Sequence, residues 1–420
     1  MSVVLFGWVV CQPLVAVEVD SPFVNTALLT SSHLVAAVLA RHPDISAMEA
    51  AWSAANVRVE QARAFDDPVL SYTLAPQTVG AKGVAVGQKW SLSQRLPWPG
   101  KRDLRVKVAR AESDVAFVGI EQMRLKLTEI SKAVYADWYF VHAALRINGI
   151  NRSLLQAFQN IAEIKYSAGR ASQQDVLRAE VEQMLLEHRD IRLERRRRNT
   201  LASINTLLQR LPDQPLPLPM GLPDPISLPT VEQLRTRALE THPALRMLAA
   251  RTEASRYRSS LVERDDYPDI KLSAGYNSLW NQSEKQFTVG ASINIPLQDT
   301  RSAAKVEARA MTLSLDFQQR AKVSQLMGDV QHALENVRES ERVLSLYQTR
   351  LLPLAQENLQ AAQSDYEAGS GNFLDLISAE KSVMQTRLQQ EQTRANYHRR
   401  LAALEYVVGG ELTTRFGGES

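Results

Sequence analysis

Apolar and polar positions follow two different periods in the first half of the chain. Residues 33–64 are rich in alanine and free of glycine, with only Pro43 interrupting near the start, and this pattern predicts helix. Residues 69–75 and 84–95 then alternate between apolar and polar side chains, as strands with one apolar face do. The segment PQTVGAKG between them contains proline and glycine, which indicates a hairpin connection.

The same alternation returns in the second half of the chain. In residues 270–277 and 287–295 every second side chain is apolar and the others are small or polar, as Leu272 and Ser273 illustrate. Strands of about ten residues with this alternation are typical of a transmembrane barrel with a wet lumen. A sheet half-buried in a soluble sandwich shows the same alternation, so the strands alone leave both interpretations open.

Long helical segments follow each pair of strands. Residues 101–168 contain no proline, and residues 301–368 contain only Pro353. As single helices they would each be ~100 Å long at 1.5 Å per residue, and Gly119 and Gly149 are too sparse to divide the first one. A soluble sandwich has no use for two helices of that length, so the pattern favours the transmembrane barrel.

The chain consists of two copies of one unit. The pattern Tyr166-x-Ala-Gly-x5-Asp175 recurs as Tyr366-x-Ala-Gly-x5-Asp375. Seven prolines between the copies predict an extended connector, because proline removes backbone donors and forbids helix. The predicted organisation is a first repeat at 30–210, a proline-rich linker at 211–230, a second repeat at 231–412 and a C-terminal tail at 413–420.

Each repeat is predicted to contain a helical hairpin. A glycine suited to the left-handed end of a helix is followed by an N-cap residue and, three positions on, by an aspartate placed as in a capping box. These residues are Gly169, Ser172 and Asp175 in the first repeat and Gly369, Asn372 and Asp375 in the second. The hairpin tips therefore fall at 166–175 and 366–375.

Four strands cannot form a closed barrel within one chain. Open strand edges are not tolerated in a bilayer, and the smallest single-layer barrels have ~8 strands. At least two chains must therefore combine, and three chains would give twelve strands and six helical hairpins.

The N-terminal residues predict export from the cytoplasm. Residues 1–16 form a short apolar stretch that is too interrupted to span a bilayer, and we interpret it as a signal peptide, although the usual basic start is missing. A buried N-terminal strand is the alternative. Cys11 is the only cysteine, so a disulfide framework is excluded. Lipid attachment at Cys11 is a weaker hypothesis, because no small residue precedes it.

Composition and motifs exclude several classes of function. The 49 basic and 46 acidic residues leave a formal charge of +3, too small for a protein dedicated to nucleic acid. The arginine run 195–198 has acidic residues within helical reach and is interpreted as an ion-paired helix face. No catalytic or phosphate-binding motif occurs, and the seven histidines lack metal-ligand spacing. We therefore expect neither an enzyme nor a resident metal or cofactor.

Taken together, the two repeats, the paired strands, the long helices and the Tyr-x-Ala-Gly-x5-Asp tip motif resemble the TolC-type outer membrane efflux protein family. The resemblance covers residues 30–412. It implies a mainly α fold with a transmembrane β-barrel. Three chains would complete a 12-stranded barrel in the outer membrane of a Gram-negative bacterium, and their helical hairpins would form a tunnel through the periplasm.

The resemblance also implies a function and partners. The family provides the exit duct of tripartite pumps, together with a periplasmic adaptor protein and an inner-membrane RND-type transporter or ABC exporter. The segment QRLPWPGKR at 94–102 is similar to the branch that serves heavy-metal resistance pumps. A duct for type I secretion or drug efflux is an alternative, and a periplasmic coiled-coil scaffold is an alternative from another class.

Candidate site residues follow from the resemblance and from the strand pattern. Asp375, and less strongly Asp175, would narrow the periplasmic aperture, although both are also explained as helix caps. The tip residues expected to form the turns and to dock the adaptor are Tyr166, Gly169, Tyr366 and Gly369. The aromatic residues expected in a membrane girdle are Tyr72, Trp90, Trp98, Tyr276, Trp280 and Phe287.

Overall fold

The computed structural model describes residues 23, 27–76, 79, 86–278, 286–294 and 300–412. Five features of the sequence predictions lie outside these described residues: the signal peptide at 1–16, Cys11, Trp280, Ile295 at the end of the fourth predicted strand, and the tail at 413–420.

Helices and strands of the first repeat follow the predicted order. The elements are β1 (Leu28–Leu29), α1 (Ser31–Arg41), α2 (Pro43–Arg63), β2 (Val69–Ala75), β3 (Gly87–Leu96), α3 (Lys101–Ser167) and α4 (Gln173–Leu207). The 67-residue α3 runs through Gly119 and Gly149 without a break, which confirms the prediction of one long helix.

The linker and the second repeat contain the remaining elements. They are β4 (Leu218–Pro219), α5 (Val231–Thr241), α6 (Pro243–Arg264), β5 (Ile270–Asn277), β6 (Phe287–Ile293), α7 (Thr300–Leu346), α8 (Leu352–Ala368) and α9 (Phe373–Val408). Among the residues that the structure describes, no helix is long and apolar enough to cross a membrane.

Proline divides the first predicted helix of each repeat. Segment 33–64 forms α1 and α2, because Pro43 occupies the first turn of α2 and has no N–H with which to continue α1. The ring nitrogen Nδ1 of His42 accepts a hydrogen bond from the Asp44 N–H at 3.3 Å and caps the new helix. His242 makes the same bond to the Ala244 N–H at 3.1 Å at the start of α6.

A π-helical turn at Tyr347–Leu351 interrupts the second long helix. The sequence prediction of one uniform helix over 301–368 is therefore wrong at this point, although the chain stays helical on both sides. The Leu352 N–H bonds to the Tyr347 carbonyl, five residues back, immediately before Pro353. Because Pro353 lacks an N–H and its ring crowds the carbonyl four residues earlier, an extra residue in the turn relieves the conflict.

Four strands form one antiparallel sheet in the order β2-β3-β5-β6. The central pair, β3 and β5, comes from different repeats, and β2 and β6 lie at the two edges. The helices repeat this order. Near the sheet, α3 packs between α2 and α6, and α6 packs against α7. Further from the sheet, α3 packs between α4 and α9, and α9 packs against α7 and α8.

The proline-rich linker docks on α3 instead of crossing solvent freely. Strand β4 within it pairs in parallel with β1, and the Tyr135 hydroxyl donates to the carbonyls of Leu29 at 2.9 Å and Met220 at 2.7 Å. The indole N–H of Trp138 donates to the Pro217 carbonyl at 3.2 Å. These buried aromatic residues therefore fix the connection between the repeats.

Candidate functional sites: the sheet faces and the hairpin tips

One face of the sheet is apolar and exposed. The register aligns the apolar side chains of all four strands, for example Leu272 opposite Ala291 and Ala274 opposite Val289. Val289 is 91% exposed and Phe287 73% exposed. The other large apolar residues exposed on this face are Leu70, Tyr72, Leu74, Trp90, Leu92, Leu272 and Ile293. Exposed apolar area of this kind marks contact with a membrane or another protein.

Four of the predicted girdle residues form one row across the sheet. The register places Tyr72 opposite Trp90, Trp90 opposite Tyr276, and Tyr276 opposite Phe287. The ring centroids of Tyr72 and Trp90 are 4.5 Å apart, and those of Tyr276 and Phe287 are 5.2 Å apart. This row lies at the end of the sheet away from the helices.

Trp98 lies at the opposite end of the sheet and stacks on Tyr267, with 5.4 Å between ring centroids. About six strand residues separate the two levels, which corresponds to ~20 Å. Aromatic residues at two levels on either side of an apolar band are the arrangement found in outer membrane barrels. The girdle role itself stays a prediction.

An ion-pair cluster joins the sheet to the helices. Asp269, just before β5, accepts hydrogen bonds from the Lys101 ammonium at 2.9 Å, the Trp98 N–H at 3.1 Å and the Arg95 guanidinium at 2.5 Å. Lys101 also donates to the Tyr267 carbonyl at 2.9 Å. The charged side chains Arg95 and Lys101 of the segment 94–102 thus hold the two repeats together at this level.

Both hairpin tips contain glycine in the left-handed region. Gly169 has φ 70° and Gly369 has φ 81°, as the sequence pattern predicts for residues that end helices. The N–H groups that follow close the turns: Arg170 donates to the Lys165 carbonyl at 2.7 Å and Ser370 donates to the Asp365 carbonyl at 3.0 Å. The predicted turns are therefore formed at both tips.

Asp175 and Asp375 differ in their bonding although they occupy equivalent positions. The Asp175 carboxylate accepts a hydrogen bond from the Ser172 N–H at 3.2 Å, which is the return bond of a capping box. In the second repeat the Asn372 side chain accepts from the Asp375 N–H at 2.9 Å, while the carboxylate of Asp375 is exposed and has no partner among the residues described. Of these two aspartates, only Asp375 has a carboxylate without a partner among the described residues, and its role at the aperture stays a prediction.

Tyr166 and Tyr366 differ as well. Tyr166 is 47% exposed, whereas Tyr366 is buried against Phe373, with 5.4 Å between ring centroids. The Lys165 ammonium lies 4.1 Å from the centre of the Tyr366 ring. Burial raises the pKa of Tyr366, and the nearby charge of Asp175 raises it further. Tyr366 therefore belongs to the core of the tip, where its burial leaves little surface for an adaptor. Direct contact of Tyr166, Gly169 and Gly369 with the adaptor stays a prediction.

Glu380 is a buried acid that the sequence analysis missed. It lies on α9 and is 5% exposed, and its Oε1 has no hydrogen-bond partner among the described residues. Burial, helped by the charge of Glu182 on α4, raises the pKa of Glu380 to about 7. No signal in the sequence distinguishes it, because the equivalent Glu180 has the same identity and is exposed.

Within the described part of the chain, no group of three or more histidine, cysteine, aspartate or glutamate side chains is placed to hold a metal ion.

Comparison with known proteins identifies relatives of this fold. Residues 234–410 match the family model described as outer membrane efflux protein. The chain is 22% identical over 390 residues to nodulation protein T of Rhizobium leguminosarum bv. trifolii, covering 85% of this chain and 80% of that protein. It is 21% identical over 356 residues to the cobalt-zinc-cadmium resistance protein CzcC of Cupriavidus metallidurans, covering 84% and 83%.

The solved structure of CusC has the same fold. It superposes with a TM-score of 0.78 at 16% identity, covering 94% of this chain and 96% of that chain. The long helical hairpins and the four-stranded sheet of this chain are therefore the fold of that solved structure. The second half of the chain thus matches the outer membrane efflux protein family. This is a family of efflux proteins rather than of enzymes.

Proposed function

We propose that three copies of this chain form a passive exit duct that crosses the outer membrane and extends into the periplasm. The observation that carries the proposal is the exposed apolar face of a sheet whose two edge strands, β2 and β6, each have a pairing partner on one side only among the described residues. Closure of three such sheets into a 12-stranded barrel removes the open edges and places the apolar face against lipid.

The order of helices supports closure by a head-to-tail contact. One flank of the chain consists of β2, α2 and α4, and the opposite flank consists of β6, α7 and α8. The two flanks differ, so a symmetric ring joins one flank of each copy to the other flank of the next. The same contact then completes the barrel and a helical tunnel below it.

The duct conducts what an inner-membrane transporter and a periplasmic adaptor deliver, and the hairpin tips dock that adaptor. The relative CzcC is named for cobalt, zinc and cadmium resistance, which supports heavy-metal cations as the exported substrates. The segment QRLPWPGKR at 94–102 agrees with that branch. A duct for drug efflux or type I secretion is the alternative, and the transporter determines which substrate enters.

Cross-linking between edge strands tests the assembly. Ser71 on β2 and Ser292 on β6 are exposed on the polar face, and ~14 Å separates these strands within one chain. We expect the Ser71→Cys/Ser292→Cys variant, in a Cys11→Ser background, to give a ladder that ends at three chains when membranes are treated with a short bifunctional maleimide.

Each single-cysteine variant serves as the control and should give no ladder, because equivalent residues lie four strands apart in the barrel. The protein should be recovered with the outer membrane fraction. Recovery as a soluble monomer without detergent would instead support a periplasmic scaffold, and a ladder that ends at two chains would overturn the trimer.

A further inference from the structure

Among the described residues of the four strands, lysine and arginine are the only charged ones. The described strand residues contain no aspartate or glutamate, whereas Lys89 and Arg95 lie on β3 and Lys271 lies on β5. The register places all three on the polar face, with Lys271 opposite Arg95 on β3 and opposite Ser292 on β6. The face opposite the apolar surface is therefore positively charged.

Two of these three charges are not neutralised. Arg95 pairs with Asp269 at 2.5 Å and lies 3.9 Å from Asp66. Lys89 and Lys271 are exposed and make no ion pair within 4 Å with a described carboxylate. Exposed Asp67 lies just before β2, at the helix end of the sheet, and is the nearest unpaired acid along that strand.

The two free lysines lie at different depths along the sheet. Lys89 is opposite Asn277 near the aromatic row, and Lys271 lies six residues along β5 towards the helices, which corresponds to ~20 Å. In a closed assembly of three copies, each lysine would form a ring of three charges. The ring of Lys89 lies furthest from the carboxylates at the helix end.

We propose that Lys89 and Lys271 line the pore and give the membrane section of the duct a preference for anions over cations. The inference deepens the proposed function and rests on it, because the polar face becomes a lumen only when the copies close into a barrel. Charged rings in a narrow lumen select ions of opposite sign. A positive lumen lowers the local concentration of cations whichever end they enter from, so heavy-metal cations would leave against this repulsion, driven by the transporter.

Ion selectivity in planar lipid bilayers tests the inference. The assembled full-length protein is measured in a KCl gradient, and the reversal potential gives the ratio of chloride to potassium permeability. In the Lys89→Gln/Lys271→Gln variant we expect that ratio to fall about two-fold or more at 0.01–0.1 M salt, where the Debye length is about 10–30 Å. The difference should shrink at 1 M salt, where the Debye length is about 3 Å.

The matched control is the Lys89→Arg/Lys271→Arg variant, which keeps both charges and should keep the wild-type ratio. Both pairs of variants are also measured with Asp375→Ala, because the tip lies in series with the sheet section and contributes a negative charge. An unchanged ratio in the glutamine variant in both backgrounds would overturn the inference. Absence of any pore from the wild-type protein would overturn the proposed function instead.

Discussion

Lys101 and Asp269 form a buried ion pair, with 2.9 Å between Nζ and Oδ1, that joins the first repeat to the second at the boundary between sheet and helices. The side chains are 4% and 7% exposed. Lys101 is the first residue of α3, and Asp269 immediately precedes β5. The pair therefore fixes the long helix of one repeat to the strand of the other.

Loss of the Asp269 carboxylate should strongly destabilise the chain. Asp269→Ala leaves the Lys101 ammonium buried without its partner, and the expected loss is about 3–5 kcal/mol. Asp265→Ala is the control, because that residue is 54% exposed at 3.3 Å from the same ammonium and should cost no more than about 1 kcal/mol. Thermal unfolding in detergent measures both. Equal losses in the two variants would show that the buried pair has no special role.

Arginine should be tolerated on only one face of the sheet. Leu272 lies on the apolar face and the adjacent Ser273 on the polar face. We expect Leu272→Arg to abolish assembly in the outer membrane, because a charge on the lipid face costs about 2–4 kcal/mol at mid-membrane. Ser273→Arg should assemble normally. The yield of trimer in outer membrane fractions measures the effect, and equal yields would mean that the apolar face does not contact lipid.

Removal of Asp175 should affect stability, whereas removal of Asp375 should affect ion selectivity. Asp175→Ala removes a carboxylate that accepts the Ser172 N–H, so we expect a loss of about 1 kcal/mol in stability. Asp375→Ala keeps the bond from its own N–H to Asn372, so stability should change less. In single-channel recordings Asp375→Ala should reduce cation preference and block by multivalent cations, and Asp175→Ala should not. If Asp375→Ala changes stability alone, its carboxylate has no role in the aperture.

Buried Glu380 should make the stability of the hairpins depend on pH. Its pKa of about 7 in the folded chain exceeds the ordinary value of 4.5, so the folded state holds the proton more tightly. The stability from this proton, about 3 kcal/mol, is complete below pH 4.5 and is lost as pH rises through 7. The charged groups that act on Glu380 are Glu182 and Arg189 of α4 and Lys381 of α9.

Thermal unfolding of the Glu380→Gln variant between pH 5 and pH 8 tests this expectation. The variant should lose less stability than the wild-type protein over that interval, because the neutral amide needs no proton. Glu180→Gln is the matched control and should behave as the wild type, since Glu180 is exposed at the equivalent position. Identical pH profiles for Glu380→Gln and the wild type would contradict the assignment.

Replacement of Gly369 or Gly149 by alanine should change the stability of the chain in opposite directions. A Cβ at Gly369 or Gly149 would meet no atom within 4 Å, but Gly369 has φ 81° and Gly149 lies within α3. Gly369→Ala should therefore cost about 1–2 kcal/mol, and Gly149→Ala should gain roughly 0.5–1 kcal/mol. Gly369→Val should also impair adaptor-dependent export while the barrel still assembles. Normal export by Gly369→Val would show that the turn is not needed for docking.

The sequence by itself determined the four strands of the sheet, the long helices, the hairpin tips and their order along the chain. A period of two identifies the strands, the absence of proline identifies α3, and glycine identifies both tips, because these signals depend on local backbone geometry. The alternation of Leu272 with Ser273 also predicts two different sheet faces. The internal repeat shows that each half of the chain contains the same elements, which predicts the fold class. Two strands in each half make four, too few to close a barrel, so further chains are needed.

Only the tertiary structure decided which of two equivalent residues is buried. Glu380 and Glu180 have the same identity, as do Tyr366 and Tyr166, yet in each pair only the second-repeat residue is buried. The sequence pattern also did not predict the ion pair between Lys101 and Asp269, which are 168 positions apart. Burial and pKa depend on which neighbouring elements exclude water, and local patterns carry no information about those neighbours.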